Sequence, residues 1–127
     1  MEYVLPVKRL RMIAVLNSID GGGSPATIEL RDANRVILTT LLLTVPSFYL
    51  VGADLVLCAP TSAYVSIAGQ AAIGTITDGS GNLIVDNMTV GVDKTEDMIH
   101  DFEIVLDTTL MEIGNQVTIV AANIEHG

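Results

Sequence analysis

From Ala26 onward the sequence alternates short apolar runs with turn-forming residues, at a spacing of about ten residues. The runs "DFEIVLD" and "QVTIVAANI" place apolar side chains at every second position, which is the period of a half-buried strand. Regularly spaced short strands are typical of sandwiches and jelly rolls. The sequence therefore predicts an all-β fold, an antiparallel, jelly-roll-like β-sandwich with one short N-terminal helix. On its outer face we expect Val105 and Val120 to be available to a partner.

The helix is predicted over residues 6–19, because Pro6 suits a first helical turn and apolar residues then recur at three- and four-residue intervals. Together with the polar Asn17 they form two sets: Leu10, Ile13 and Asn17, and Met12, Leu16 and Ile19. The stretch "DGGGSP", residues 20–25, supplies glycines and a proline that end the helix. At 127 residues the chain has room for one core. We expect residues 1–24 to form an N-terminal arm and helix, and residues 25–127 to form the β-sandwich domain.

Charge is distributed unevenly along the chain. The formal net charge of -9 argues against binding nucleic acid through its phosphates, which requires clustered Lys and Arg. Three cations, Lys8, Arg9 and Arg11, lie close together near the N-terminus, whereas the later part of the chain is strongly acidic. We expect the three cations to contact an acidic neighbour. The acidic part is either a solvated face or a surface that docks on a basic partner.

Half of the residues are hydrophobic, yet only 4% are aromatic. So much aliphatic side chain in a small domain favours burial between subunits, as a homodimer or homotrimer. The uncharged run from Val36 to Ala53 is long enough to suggest a membrane span, but Pro46 lies at its centre and hydroxyl residues interrupt it. Its Val, Ile and Thr residues suit strands. We therefore expect no membrane association.

The stretch "TITDGSGNLIVD", residues 75–86, carries oxygen-bearing residues at alternate positions, as a calcium loop would: Asp78, Ser80 and Asn82. A calcium loop of the EF-hand type also needs glycine at its sixth position and an acidic residue at its twelfth. Those positions hold Leu83 and Thr89. The glycines of the stretch suit a tight hairpin. The sequence therefore favours a turn between two strands over a metal site.

Other chemical signals are weak. The single cysteine, Cys58, lies in the apolar run "DLVLCA", which predicts a buried structural thiol. Carboxylates gather around His100 between Asp93 and Glu103, and a solvated connection is the favoured interpretation over a catalytic or metal site. No base and nucleophile are recognisable together. We therefore expect no enzymatic activity, no cofactor and no bound metal.

The order of several motifs resembles a family of small virion proteins encoded in the structural modules of tailed phages. The resemblance extends from Leu16 to Ile124 and depends on the order of four stretches: "LNSIDGGGSPATIELRD", "ILTTLLLTVPSF", "AAIGTITDGSGNLIVDNMTVG" and "IVLDTTLMEIGNQVTIVAANI". In that family a Ser-Ile-Asp-Gly stretch leads into a strand, and a Gly-Asn hairpin and a final strand follow. Residues 93–101 are more acidic than the family pattern.

The resemblance implies a capsid decoration or cement protein that binds the outside of the head lattice and bridges major capsid subunits. The alternative within the virion is a tail, neck or head-fibre component. A carbohydrate-binding sandwich is a further alternative, although its usual aromatic residues are few here. A hydrolase is the alternative from another functional class, and it would require a catalytic role for residues such as His100 and Asp101.

Overall fold

The computed structural model describes residues 2–92 and 102–125. Within these ranges the chain forms one helix and eleven strands, so the prediction of a mostly β protein with one N-terminal helix is confirmed. The elements are α1 Leu5–Asp20, β1 Thr27–Arg31, β2 Ile37–Leu42, β3 Phe48–Val51, β4 Asp54–Leu57, β5 Thr61–Tyr64, β6 Gly69–Gln70, β7 Ile73–Thr77, β8 Leu83–Val92, β9 Ile104–Leu106, β10 Leu110–Met111 and β11 Gln116–Glu125.

Helix α1 packs into the same core as the strands. Pro6 lies in its first turn, as predicted, and Met12 and Ile19 are buried among residues of the sheet. At its end, both carboxylate oxygens of Asp20 accept a hydrogen bond from the backbone N–H of Ser47, at 3.3 and 3.2 Å. This contact fixes the end of the helix against the segment that precedes β3. The helix is thus an integral part of the domain rather than an extended arm.

Most of the strands form one sheet in the order β2-β1-β7-β8-β9-β11-β4-β3, and β5 also pairs with β11. The turn residues "DAN" between the apolar runs "TIELR" and "RVILTTLLL" predict a hairpin. Strands β1 and β2 form it, with Thr27 opposite Leu42 and a bulge near Arg31. A second predicted hairpin joins β7 to β8. Strands β6 and β10 form a separate two-stranded sheet. Hairpins arise from neighbouring stretches of sequence, and for that reason the local pattern predicts them.

The large sheet is mixed rather than purely antiparallel. Strands β8 and β9 run parallel, with Val90 beside Ile104 and Val92 beside Leu106, whereas the other described pairs are antiparallel. The sheet curls until β2 approaches β5, where the Thr39 hydroxyl donates to the Tyr64 carbonyl oxygen at 2.9 Å. The result is a half-barrel whose concave side holds the core.

Strand β11 connects the two parts of the sheet. It pairs with β9 along one edge and with β5 and β4 along the other. A bulge between Ile119 and Ala121 changes which residues face the core. Before the bulge Val117 and Ile119 are buried, and after it the buried positions are Ala122 and Ile124.

The uncharged run from Val36 to Ala53 folds as strands β2 and β3 with the turn between them. Several of its residues enter the core, including Leu38, Leu41 and Phe48. In the part of the chain that the structure describes, no helix is long and apolar enough to cross a membrane.

Candidate interaction surfaces

The three cations of the N-terminal segment all have partners within the chain. The Lys8 ammonium lies 2.7 Å from the Glu2 carboxylate and lowers the pKa of that carboxyl, first through the hydrogen bond and then through its charge. The Arg9 guanidinium donates to a backbone carbonyl in the β3–β4 turn at 2.9 Å. The Arg11 guanidinium lies 4.5 Å from the centre of the Tyr3 ring, a cation–π distance. The structure thus gives these residues internal roles that the sequence did not indicate.

The two valines predicted on the outer face have different environments. Val120 is 52% exposed, because it follows the buried Ile119 and its side chain points away from the core. Val105 is only 3% exposed, so the prediction that it lies on an accessible outer face is wrong. The Phe102 ring lies against Gly91, the residue paired with Val105, and covers this part of the sheet. A small depression remains there, lined by Phe102 and Val105 among others.

The candidate calcium ligands are brought together, but as a turn that satisfies its own polar groups. The Asp78 Oδ1 atom accepts hydrogen bonds from the backbone N–H groups of Ser80 and Asn82, at 2.9 and 2.8 Å. These bonds lower the pKa of the Asp78 carboxyl, and the bond from the Asn82 backbone contributes most. Gly81 has a φ of 91°, which favours glycine. The predicted hairpin turn is confirmed.

The turn is also packed against the glycine-rich segment that follows α1. The Ser80 hydroxyl donates to the Gly22 carbonyl oxygen at 2.9 Å. A Cβ atom at Gly79 would lie 2.1 Å from the carbonyl oxygen of Ser24, so this position leaves no room for a side chain. The glycines of both stretches thus allow two backbones to approach closely.

The acidic segment around His100 lies largely outside the described residues, which end at 92 and resume at 102. Of that segment, Glu103 is described, and its backbone N–H donates to the Thr89 hydroxyl at 2.9 Å. Over the described ranges, no group of three or more His, Cys, Asp or Glu side chains is arranged to hold a metal ion.

One carboxylate is buried on the sheet. Glu29 is enclosed by β1 and β7, where hydroxyls of Thr27, Thr75 and Thr77 donate to its oxygens. The Thr27 bond is 2.7 Å long and the Thr75 bond 3.1 Å. Three donors satisfy the buried oxygens, which makes this a structural network between neighbouring strands.

The single thiol is exposed, so the prediction of a buried cysteine is wrong. Strand β4 turns Leu55 and Leu57 toward the core, and Cys58 follows on the opposite side just after the strand ends. Desolvation by its surroundings raises the pKa of the Cys58 thiol, and the negative charge of Asp20 raises it further.

An apolar surface that was not predicted from the sequence lies on the outer side of α1. There Val7, Leu10 and Ile13 are exposed, opposite the helix face that enters the core. The signal was present, because apolar residues recur in two sets along the helix and one set cannot face the core. Beside this surface a cleft of about 490 Å³ lies between α1 and strands β8 and β11.

Compared with known proteins, the chain matches no protein-family model, no curated protein and no solved structure.

Proposed function

We propose that this chain is a structural protein of a tailed-phage virion, and specifically a decoration or cement protein on the capsid exterior. It would bind the major capsid protein and bridge adjacent subunits. The proposal originates in the resemblance of the motif order between Leu16 and Ile124. The single structural observation that supports it is the amount of exposed aliphatic side chain spread over the fold.

Large apolar side chains are exposed on several elements. The helix, the β2–β3 connection, β3, β5 and the β10–β11 turn all contribute, through residues that include Leu10, Val45, Val51, Tyr64 and Ile113. A monomer in water gains nothing from such a distribution, whereas a lattice protein can bury these residues against several neighbours. Many weak contacts repeated over a closed shell add up through effective concentration.

Strand β3 offers a second kind of contact. It lies at one end of the sheet order and carries no charged residue. Edge strands of that kind accept an additional strand from a partner, unless charges or prolines protect them. Tyr49 and Val51 are exposed beside this edge. An extended segment of a capsid subunit could therefore continue the sheet at β3.

The finer fold assignment belongs to the same proposal: a sandwich of jelly-roll type, with β2-β1-β7-β8 as one layer and β11-β4-β3 as the other. The shared core between these strands supports two layers. The parallel pair β8–β9 departs from the purely antiparallel pattern of jelly rolls. Interstrand nuclear Overhauser effects between Val90 and Ile104 would test this departure directly.

The first experiment is the copy number of the chain in purified particles, by quantitative mass spectrometry against the major capsid protein. One copy per one or few capsid subunits is expected for a cement protein. A few copies per particle would overturn the capsid assignment and favour a neck, tail or head-fibre position. Absence from the particle would overturn the virion proposal.

A second experiment tests the contact surface. Recombinant chain is added to particles stripped of it, and bound protein is measured by sedimentation. Replacing Val51→Asp beside the β3 edge should weaken binding, whereas Leu83→Asp, at a position of β8 that is 53% exposed and outside the elements named above, is the matched control. Equal binding of both variants and the unmodified chain would argue against the β3 edge as the contact.

The proposal assigns the chain no catalytic role, cofactor or metal. The hydrolase alternative makes a different prediction, namely that substitution of His100 and Asp101 abolishes a measured turnover.

A further inference from the structure

Helix α1 carries a second apolar stripe on its outer side. The apolar residues Val7, Leu10 and Ala14 and the polar Asn17 follow one another at intervals of three, four and three residues. This is the spacing of the contact positions in a packed helix pair. All four are exposed, and Leu10 is 66% exposed.

The inner stripe is already occupied by the chain's own core. Met12 and Ile19 are buried there, and Val15 and Leu16 pack against the same core. An amphipathic surface helix normally places polar residues on its opposite side, whereas a helix that is apolar on both sides is usually buried on both. The outer stripe of α1 therefore indicates a surface that a binding partner covers.

The surface combines a projection and a recess within one turn of the helix. The Leu10 side chain projects from the outer stripe. The cleft of about 490 Å³ opens beside the small residue Ala14, and its walls include Val15, Val85 and Ile124. Because Leu10 and Ala14 are four residues apart, a two-fold axis passing between them would place each leucine in the other copy's cleft.

We propose that the occupant is a second copy of this chain, with the two α1 helices antiparallel across a two-fold axis. Leu10 of each copy fills the cleft beside Ala14 of the other. Such an interface is self-complementary, as two-fold dimers require. The small Ala14 side chain of each copy allows the helices to approach closely. The dipoles of two antiparallel helices attract one another. The proposal is independent of the virion assignment, because the dimer would form in purified protein.

The exposed area suits a dimer. Together with Val4, which precedes the helix, and Ile13, the outer side chains expose on the order of 400 Å² of apolar surface. A standard interface buries about 800 Å² on each partner, of which roughly 60% is apolar. These side chains therefore supply most of the apolar area that one side of such an interface contains.

Charge favours this occupant over an acidic partner. Lys8, Arg9 and Arg11 already have contacts within the chain. The cleft itself has one cation and one anion on its rim, Arg11 and Glu125, so it carries no excess of either sign. An apolar dimer keeps its affinity when salt rises, whereas docking of cations on an acidic surface loses affinity.

Sedimentation velocity of the full chain over a series of concentrations tests the proposal. A concentration-dependent dimer is expected, with a Kd that does not increase between about 0.05 and about 0.5 M NaCl. Leu10→Glu should raise this Kd by about 100-fold or more, because it removes two symmetric apolar contacts at once. Ile113→Glu, at a position that is 70% exposed, is the matched control and should leave the Kd unchanged.

Cross-linking tests the geometry. In a Cys58→Ser background, a mixture of Leu10→Cys and Ala14→Cys chains should form the mixed disulfide in preference to either homodimer, because the two positions face one another. Circular dichroism spectra that match the unmodified chain establish that the variants fold. A monomer at all concentrations, a salt-weakened dimer, a dimer unaffected by Leu10→Glu, or no preference for the mixed disulfide would each overturn the proposal.

Discussion

The contribution of helix α1 to the stability of the fold can be measured by truncating two of its isoleucines in the same way. One lies on the buried side of the helix and the other on its exposed side. Ile19 is fully buried, and Ile13 is 39% exposed. Truncating a buried isoleucine to alanine costs 2–5 kcal/mol, the loss of burial plus the cavity that remains. We expect Ile19→Ala to lower the free energy of unfolding by about 3 kcal/mol, and Ile13→Ala by less than about 1 kcal/mol.

The assay is urea unfolding followed by circular dichroism, with both substitutions made in the Leu10→Glu background. That background removes the proposed dimer, so a contribution of Ile13 to self-association does not enter the comparison. The slope of free energy against urea concentration should be the same for both variants. In thermal unfolding, Ile19→Ala should lower Tm by about 10 °C.

Two results would refute the reasoning. If Ile19→Ala and Ile13→Ala cost equally little, the helix would be a separate arm whose inner face contributes nothing to the core. If Ile19→Ala removed only the helical signal and left the sheet's unfolding midpoint unchanged, helix and sheet would unfold independently. Because helix α1 packs into the core of the sheet, we expect the helical signal and the sheet signal to change in one cooperative transition.

Three further predictions concern the turn around Asp78 and the exposed thiol. Gly79→Ala should lower the free energy of unfolding in urea by about 2 kcal/mol, because its Cβ atom would collide with the Ser24 carbonyl oxygen. Ser80→Ala removes only one hydrogen bond and should lower it by about 1 kcal/mol or less. Equal losses of stability would contradict the close approach of the two backbones. The hydrogen bonds that lower the pKa of Asp78 stabilise the fold above the ordinary carboxyl pKa of about 4, and this contribution is lost as the pH falls through the lower folded pKa. The gap in unfolding free energy between the unmodified chain and Asp78→Ala should therefore close below that pH, and a constant gap would refute the assignment. Cys58 should react fully with a thiol reagent in the folded protein, because it is exposed. The rate of this reaction should rise at a higher pH than that of a free thiol, because the pKa of Cys58 is raised. A thiol that reacts only after unfolding would show that Cys58 is buried.

The parts of the fold that the sequence predicts well are those encoded by neighbouring residues. The helix, the β1–β2 hairpin and the turn at Asp78 each depend on periodicity and turn chemistry within about twenty residues. The order of the strands is different, because the pairing of β11 with β4 joins Ile124 to Leu55 across most of the chain. No local signal specifies such a pairing.

The candidate contact residues show the same limit. Strand alternation correctly places Val120 outside, but it fails at Val105, because Phe102 covers that part of the sheet. Alternation describes only which face a side chain is on, and not what lies above that face. Charge clustering likewise located Lys8 and its neighbours without revealing their internal partners. The outer stripe of α1 could have been found from the recurrence of apolar residues at Val7, Leu10 and Ala14.

The central position of β11 has a consequence for how the protein is made in the cell. Because β9, β5 and β4 all pair with β11, the two parts of the sheet are not joined until residues 116–125 have been synthesised. A nascent chain can form α1 and the early hairpins on the ribosome, but its aliphatic strands stay partly uncovered until this late stage. Completion of the core therefore depends on β11, and a chain interrupted before residue 116 would leave the two parts of the sheet unjoined.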